Sequence, residues 1–330
     1  MIITRAKLID LARREAEARA ASGDVVSAYL IGSVAYGEPL LGGTADIDLV
    51  LIHVGAPDVD REMVTLSADV HLDIIHHARE RYAQPRGLRI DPWIGPAISG
   101  PVFLHDPQHF FEWAQAGARG QFFRADHALA RSRSLLQSAR ARLPHPLPPQ
   151  LDAAMLIEAA LDGANAAASL AGAPAAGRRL LLDLERRAQA LGRPELSDGL
   201  ARLTGIDRTD GREVPSWLGA RARAFDAATP LTPDPRLAPC RRSYHLSGYQ
   251  ALSEAGRPDA VVLPLLLIWD HTIRVLEAYE QAAPFRPAWE EALQRLGLSP
   301  ESLKPRALEL ESYLDAMETL IDAWAVRNGA

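Results

Sequence analysis

Residues 25–54 read Val-Val-Ser-Ala-Tyr-Leu-Ile-Gly-Ser-Val-Ala-Tyr-Gly-Glu-Pro-Leu-Leu-Gly-Gly-Thr-Ala-Asp-Ile-Asp-Leu-Val-Leu-Ile-His-Val. An apolar run from Val25 to Ile31 stops at Gly32-Ser33, and a second, Asp46 to Val54, opens with Asp-Ile-Asp. The pattern predicts strand, turn, strand. Residues i and i+2 of a strand share a face, so Asp46 and Asp48 point one way and Ile47 and Leu49 the other. Carboxylates that close repel each other unless a cation sits between them. Oxygen donors with no cysteine nearby select Mg²⁺ or Mn²⁺ over zinc. Gly32 lets a backbone approach closely, and Ser33 offers a hydroxyl and an N–H where a helix would begin, an arrangement suited to an oxyanion or phosphate. A divalent metal beside a phosphate cradle points to nucleotide chemistry.

A third carboxylate follows. Residues 69–77, Asp-Val-His-Leu-Asp-Ile-Ile-His-His, read as a short strand with Asp73 between Leu72 and Ile74. An ionised carboxylate in a core segment is costly and is kept for a partner or a metal. The bland alternatives are two solvated acids at a strand end for Asp46 and Asp48, and a salt-bridged core acid for Asp73. Asp-x-Asp alone is a weak signal, and Gly-Ser alone is uninformative; their combination carries the reading.

Gly32-Ser33, a glycine-bearing gap, Asp46-Ile47-Asp48 inside an apolar strand and a lone Asp73 in a later one resemble the DNA polymerase β-like nucleotidyltransferase superfamily. Gly32-Ser33-Val34-Ala35-Tyr36-Gly37 through Asp46-Ile47-Asp48-Leu49 is most similar to the small bacterial and archaeal members. These include the aminoglycoside nucleotidyltransferases and the minimal nucleotidyltransferases of toxin–antitoxin pairs. The resemblance covers about the first third of the chain. It implies an α+β fold, with a small mixed-sheet, polymerase β-like palm domain over residues 1–124. It also implies transfer of a nucleoside monophosphate from a nucleoside triphosphate to a hydroxylated acceptor, with release of pyrophosphate. On that reading Gly32 and Ser33 hold the β/γ-phosphates and Asp46, Asp48 and Asp73 ligate two Mg²⁺ ions, Mn²⁺ being an alternative. Asp73 also serves as the catalytic acid–base group. Two departures stand out: Ala45 lies where many members carry Ser, and Tyr36 where several carry a basic residue. A nucleotide-binding regulator that keeps the site without transfer is the other class of reading.

The remaining sequence bounds the partners. At 330 residues there is room for two cores, and 48% hydrophobic with 24% charged residues is ordinary for a globular protein. The formal net charge of −6 disfavours a nucleic-acid polymer as partner, because phosphate backbones call for a basic face. Cys240 stands alone, which excludes an intrachain disulfide and suits a reducing compartment. The stretch Met1–Asp10 is charged too early for a signal peptide, and the longest apolar run, Ala260–Trp269, is too short to span a bilayer. The expectation is therefore a cytoplasmic protein with no membrane partner. Some relatives build the acceptor site across a dimer, so a homodimer is among the expectations.

Read in order, residues 4–21 predict a helix capped by Thr4. A short helix runs from Ser33 until Pro39, Gly42-Gly43 turn into the second strand, and 58–66 form a short helix or loop. Residues 81–100 read as a long Pro/Gly-rich loop, and 101–105 as a last short strand. From about 125 the alternation gives way to alanine-leucine-arginine segments, predicting an all-helical, substrate-selecting domain over 125–330. Its helices are read at 125–143, 150–170, 175–191, 195–203, 216–228, 248–255, 259–282 and 301–326, with proline breaks at 144–149 and 230–239. Arg124, Arg131, Arg133, Arg178-Arg179 and Arg241-Arg242 read as solvated helix faces before they read as phosphate ligands. Trp93, Trp113, Trp217 and Tyr244 read as core before they read as stacking platforms. His71 shares a face with Asp73 and reads as a structural hydrogen-bonder; a histidine metal site with His53, His76 and His77 lacks the spacing.

Overall fold

The computed structural model describes residues 3–144, 146–148 and 150–330. Part of the break read at 144–149, at His145 and Pro149, and the first two residues of the N-terminal stretch lie outside the described residues. The chain divides into two compact units, one of Met1–Phe123 with Ser243–Gly248 and one of Arg124–Arg242 with Tyr249–Ala330.

The first unit is a five-stranded mixed sheet with helices. Helix α1 (Arg5–Ala20) starts where the Thr4 side chain accepts from the Lys7 N–H, and it buries Leu8, Ala12 and Ala16. Then come β1 (Val25–Leu30), the one-turn α2 (Gly32–Tyr36), β2 (Ala45–His53), β3 (Arg61–Thr65), β4 (Val70–Ala78), α3 (Ile94–Ser99), β5 (Val102–His105) and α4 (Phe110–Arg119). The sheet order is β3-β4-β2-β1-β5. β2 and β4 run parallel, and the other neighbours pair antiparallel. Each face has its own core. Ile47, Leu49, Leu51, Leu72 and Ile74 pack with α1, and Tyr29, Val50, Ile52, Tyr82 and Phe111 pack on the opposite side.

Two stretches depart from the sequence expectation. Residues 61–65 form a strand rather than a helix or loop. The stretch Arg-Glu-Met-Val-Thr is too short and too charged to show a period, but a charged edge strand is well tolerated, and pairing with β4 makes it one. Residues 81–100 are not one loop. Short 3₁₀ turns at Arg79–Tyr82 and Gly87–Ile90 lead into α3, at whose start the Trp93 and Ile94 N–H groups donate to Asp91 Oδ1 at 2.8 and 2.7 Å. Tyr82, Leu88, Ile94 and Ile98 bury themselves there, so tertiary burial orders a stretch whose local composition reads as irregular.

The second unit contains α5 (Ala125–Arg142), α6 (Ala153–Ala168), α7 (Leu180–Ala190), α8 (Glu195–Thr204), α9 (Val214–Ala228), α10 (Cys240–Glu254, whose Ser243–Gly248 belong to the sheet unit), α11 (Asp259–Ala278), α12 (Arg286–Leu296) and α13 (Pro300–Asn328). α6 packs with α5 and α13. Its alanine-rich composition serves close approach: a Cβ on Gly163 would lie 2.4 Å from Leu314 Cδ2. Arg140 pairs with Asp315 and Glu318 and Arg133 with Asp322, tying α5 to α13. α10 begins at Cys240 rather than 248, because an interior Gly248 costs only about 1 kcal/mol and does not stop a helix. α11 ends four residues early, before Glu280 takes a left-handed φ of 58°. α12 has no counterpart in the sequence reading, since two prolines flank its start; Pro287 sits in its first turn, where proline's missing N–H has no cost. No helix among the described residues is long and apolar enough to cross a membrane.

Candidate metal centre

The centre begins with Gly32. β1 ends at Leu30, Ile31 N–H donates to Asp48 O at 3.1 Å, and Gly32 turns the chain into α2 with φ +67°. A Cβ there would lie 1.9 Å from Asp48 Oδ2, so glycine is required twice over: by the left-handed backbone and by the carboxylate packed against it. Ser33 sits half-buried in the first turn of α2. From α1, Arg5 donates to Val34 O at 2.7 Å and Ala35 O at 2.9 Å, satisfying carbonyls at the other end of this short helix.

Alternation along β2 puts Asp46 and Asp48 on the face opposite α1. The parallel register then pairs Asp46 with His71 and Asp48 with Asp73. One oxygen from each of Asp46, Asp48 and Asp73 falls within 4.8 Å of the others. Asp46 and Asp73 are buried, and Asp48 is partly exposed. The structure thus brings all three sequence-expected carboxylates together and packs Gly32 against one of them. Three carboxylate oxygens this close could hold a metal ion.

Three groups at the centre were not read as functional from the sequence. Arg61, on edge strand β3, forks onto Asp73: Nε donates to Oδ1 at 2.5 Å and a terminal nitrogen donates to Oδ2. Its only sequence signal is that Arg61 and Met63 alternate in a segment that must first be recognised as a strand. His71 is buried, with its Nε2 3.2 Å from Asp46 Oδ1. Tyr244, in the Ser243–Gly248 segment of α10, meets His71 edge-on with centroids 5.0 Å apart. The same segment donates Ser243 Oγ–H to Ala68 O at 3.1 Å, and its Ser247 carbonyl would lie 2.0 Å from a Cβ on Gly42. The chain divides between Phe123 and Arg124, beside the expected boundary, and six residues of the helical stretch, Ser243–Gly248, group with the sheet unit, where the left-handed Gly42 turn has the room to receive them.

Farther along the same face, the Tyr82 hydroxyl lies 2.6 Å from His77 Nδ1 and 2.7 Å from the Tyr29 hydroxyl, each within hydrogen-bond distance. Burial pushes His77 down to about 4 and the Tyr82 phenol well above its usual value, so the imidazole is neutral at neutral pH. His53 and His76 sit on the α1 side of the sheet: His53 Nδ1 lies 2.6 Å from Asp24 and its Nε2 lies 2.8 Å from His76 Nδ1. They gather no third ligand into a metal-sized group among the described residues.

In the helical unit, Arg124 pairs with Asp126 and Arg242 with Asp226 at the surface. Arg131, Arg178 and Arg241 are buried, against the expectation of solvated faces, and burial lowers Arg131 to about 10. Trp217 is core, whereas Trp93 and Trp113 are exposed. Compared with known proteins, the chain matches no family model and no curated protein.

Proposed function

We propose that this protein is a metal-dependent nucleotidyltransferase with a polymerase β-like palm, moving a nucleoside monophosphate from a nucleoside triphosphate to a hydroxyl. The observation that carries the reading is the Asp48–Asp73 register across the parallel β2–β4 pair, with Asp46 on the same face and Gly32 closed against Asp48. The resemblance of residues 32–49 supports it. Asp46, Asp48 and Asp73 would hold Mg²⁺ or Mn²⁺, which when bound neutralises the triphosphate and acidifies the attacking hydroxyl. Gly32, closed against Asp48, makes the left-handed turn that places Ser33, whose hydroxyl and N–H are offered to a phosphate oxygen. In the reaction the acceptor oxygen bonds to the α-phosphorus, the bond to the β-phosphate oxygen breaks, and pyrophosphate leaves. Arg61 holds both Asp73 oxygens, so Asp73 would ligate the ion on yielding at least one of them, and the hydroxyl proton leaves to solvent. The acceptor is a hydroxylated small molecule of the aminoglycoside kind or a protein.

One observation favours the second reading, a non-catalytic nucleotide-binding regulator: an internal cation already neutralises Asp73. Pyrophosphate release separates the two. Each nucleoside triphosphate is tested with Mg²⁺ over a panel of hydroxylated small molecules and proteins, beside Asp46→Asn/Asp48→Asn. Turnover lost in the variant supports the transferase. Tight Mg²⁺-dependent nucleotide binding with no turnover on any acceptor supports the regulator. No nucleotide binding at all defeats both.

A further inference from the structure

Arg61 makes an unusual demand on the centre. The Asp73 side chain is fully buried, and an ionised carboxylate in that position needs a counter-charge. Arg61 supplies one through two parallel N–H···O contacts, the geometry in which guanidinium binds carboxylate most strongly. A guanidinium stays charged at any physiological pH, so this counter-charge cannot be titrated away. Yet both oxygens it occupies belong to the residue that completes the three-carboxylate group. A cation entering that group meets a fixed positive charge already seated on one of its ligands.

The placement of Arg61 also lets it leave. It lies on edge strand β3, two residues from Met63, the register partner of Asp73, and reaches back along the shared face. Its own side chain is 42% exposed while that of Asp73 is 0% exposed. The arginine therefore has solvent to swing into, whereas the aspartate has nowhere to go. A guanidinium released to that solvent regains its hydration. The buried partner requires that another positive charge replace it.

We infer that Arg61 is a built-in competitor for the cation at Asp73: it holds the Asp73 carboxylate in place opposite Asp48 when no cation is bound, and it gives up at least one carboxylate oxygen when one arrives. This positioning role rests on the proposed metal-dependent function. Its consequence is that the wild-type centre binds cations more weakly than its three carboxylates alone would.

Mn²⁺ alone, followed as loss of the free-ion electron paramagnetic resonance signal, tests this without any turnover. The full-length wild type, Arg61→Gln, Arg61→Lys and Asp46→Asn/Asp48→Asn are compared. Arg61→Gln is expected to bind Mn²⁺ about tenfold more tightly than wild type, with Arg61→Lys between them because lysine is a point charge without the fork. The melting temperature of Arg61→Gln should be depressed without Mn²⁺ and recover with it, as the ion replaces the lost guanidinium. If Arg61→Gln does not fold alone, refolding on addition of Mn²⁺ supports the inference, and failure to refold overturns it. Unchanged or weaker Mn²⁺ binding in a folded Arg61→Gln also overturns it, provided the Asp46→Asn/Asp48→Asn variant has lost binding. Equal Mn²⁺ binding by wild type and the double-aspartate variant sinks the metal centre itself, and the Arg61 role with it.

Discussion

The two faces of the β2–β4 ladder are built from alternate residues of the same two strands and have opposite characters. Toward α1 lie Ile47, Leu49, Leu51, Leu72 and Ile74, each fully buried. On the other side Asp46, Asp48, His71 and Asp73 occupy one end and Val50, Ile52 and Ile75 the other. The apolar face gains free energy from area removed from water, roughly 25 cal/mol per Å². The carboxylate end gains nothing of that kind, and it gathers like charges that Arg61 offsets only in part. Stability and chemistry are thus segregated across a sheet one residue thick, and the apolar face bears the cost of the charged one.

Substitutions that separate the faces test this division, taken in order of their effect on stability. Leu49→Ala leaves a cavity under α1 and is expected to cost about 3 kcal/mol in urea unfolding. The variant should keep Mn²⁺ binding wherever it remains folded. Gly32→Ala forces an L-residue into φ +67° and drives its methyl into the Asp48 carboxylate. A loss of about 2 kcal/mol should accompany it, together with loss of Mn²⁺ binding, since the two faces meet at this residue. A Gly32→Ala protein with wild-type Mn²⁺ affinity would break the comparison.

Acid probes the apolar end of the functional face. His77 is depressed to about 4 by burial, so the unfolded chain binds its proton first as pH falls. Its contribution to stability is complete above about pH 6.5, declines as pH drops from there toward 4, and is constant below. After a discount for the ring's partial exposure this amounts to about 2 kcal/mol, read as the difference in pH slope between wild type and His77→Gln in urea titrations. The smallest effect has the opposite sign. Asp48→Asn removes one of three crowded charges and should stabilise the metal-free protein by up to ~1 kcal/mol, while Mn²⁺ affinity falls by more than about tenfold. If Asp48→Asn instead destabilises as much as Leu49→Ala, the carboxylate end is structural and the division fails.

How much of this was legible in the chain depends on the range of the interactions involved. The alternation of Asp46-Ile47-Asp48-Leu49 assigns faces, because side-chain direction along a strand is a local property. Gly32 announces a backbone constraint, and the alanine-leucine segments beyond residue 125 announce helices, for the same reason. What supports them arrives from far away in sequence. Residues 81–100 look irregular until Tyr82, Leu88 and Ile98 find a core, and 61–65 carry no period until β4 offers an edge. Ser243–Gly248 cannot be assigned to the sheet unit from a helical sequence; its contacts with Gly42, Ala68 and His71 place it there.

The sequence by itself determined that two carboxylates share a face behind a glycine turn and that a third interrupts a later apolar strand. Tertiary structure decided that β4 lies parallel to β2 with Asp73 opposite Asp48, and that Arg61 reaches Asp73 from the sheet edge. The reason is physical: periodicity is fixed by the bonds within a strand, whereas register and neighbour are fixed by which faces must be buried, and that is a property of the whole sheet.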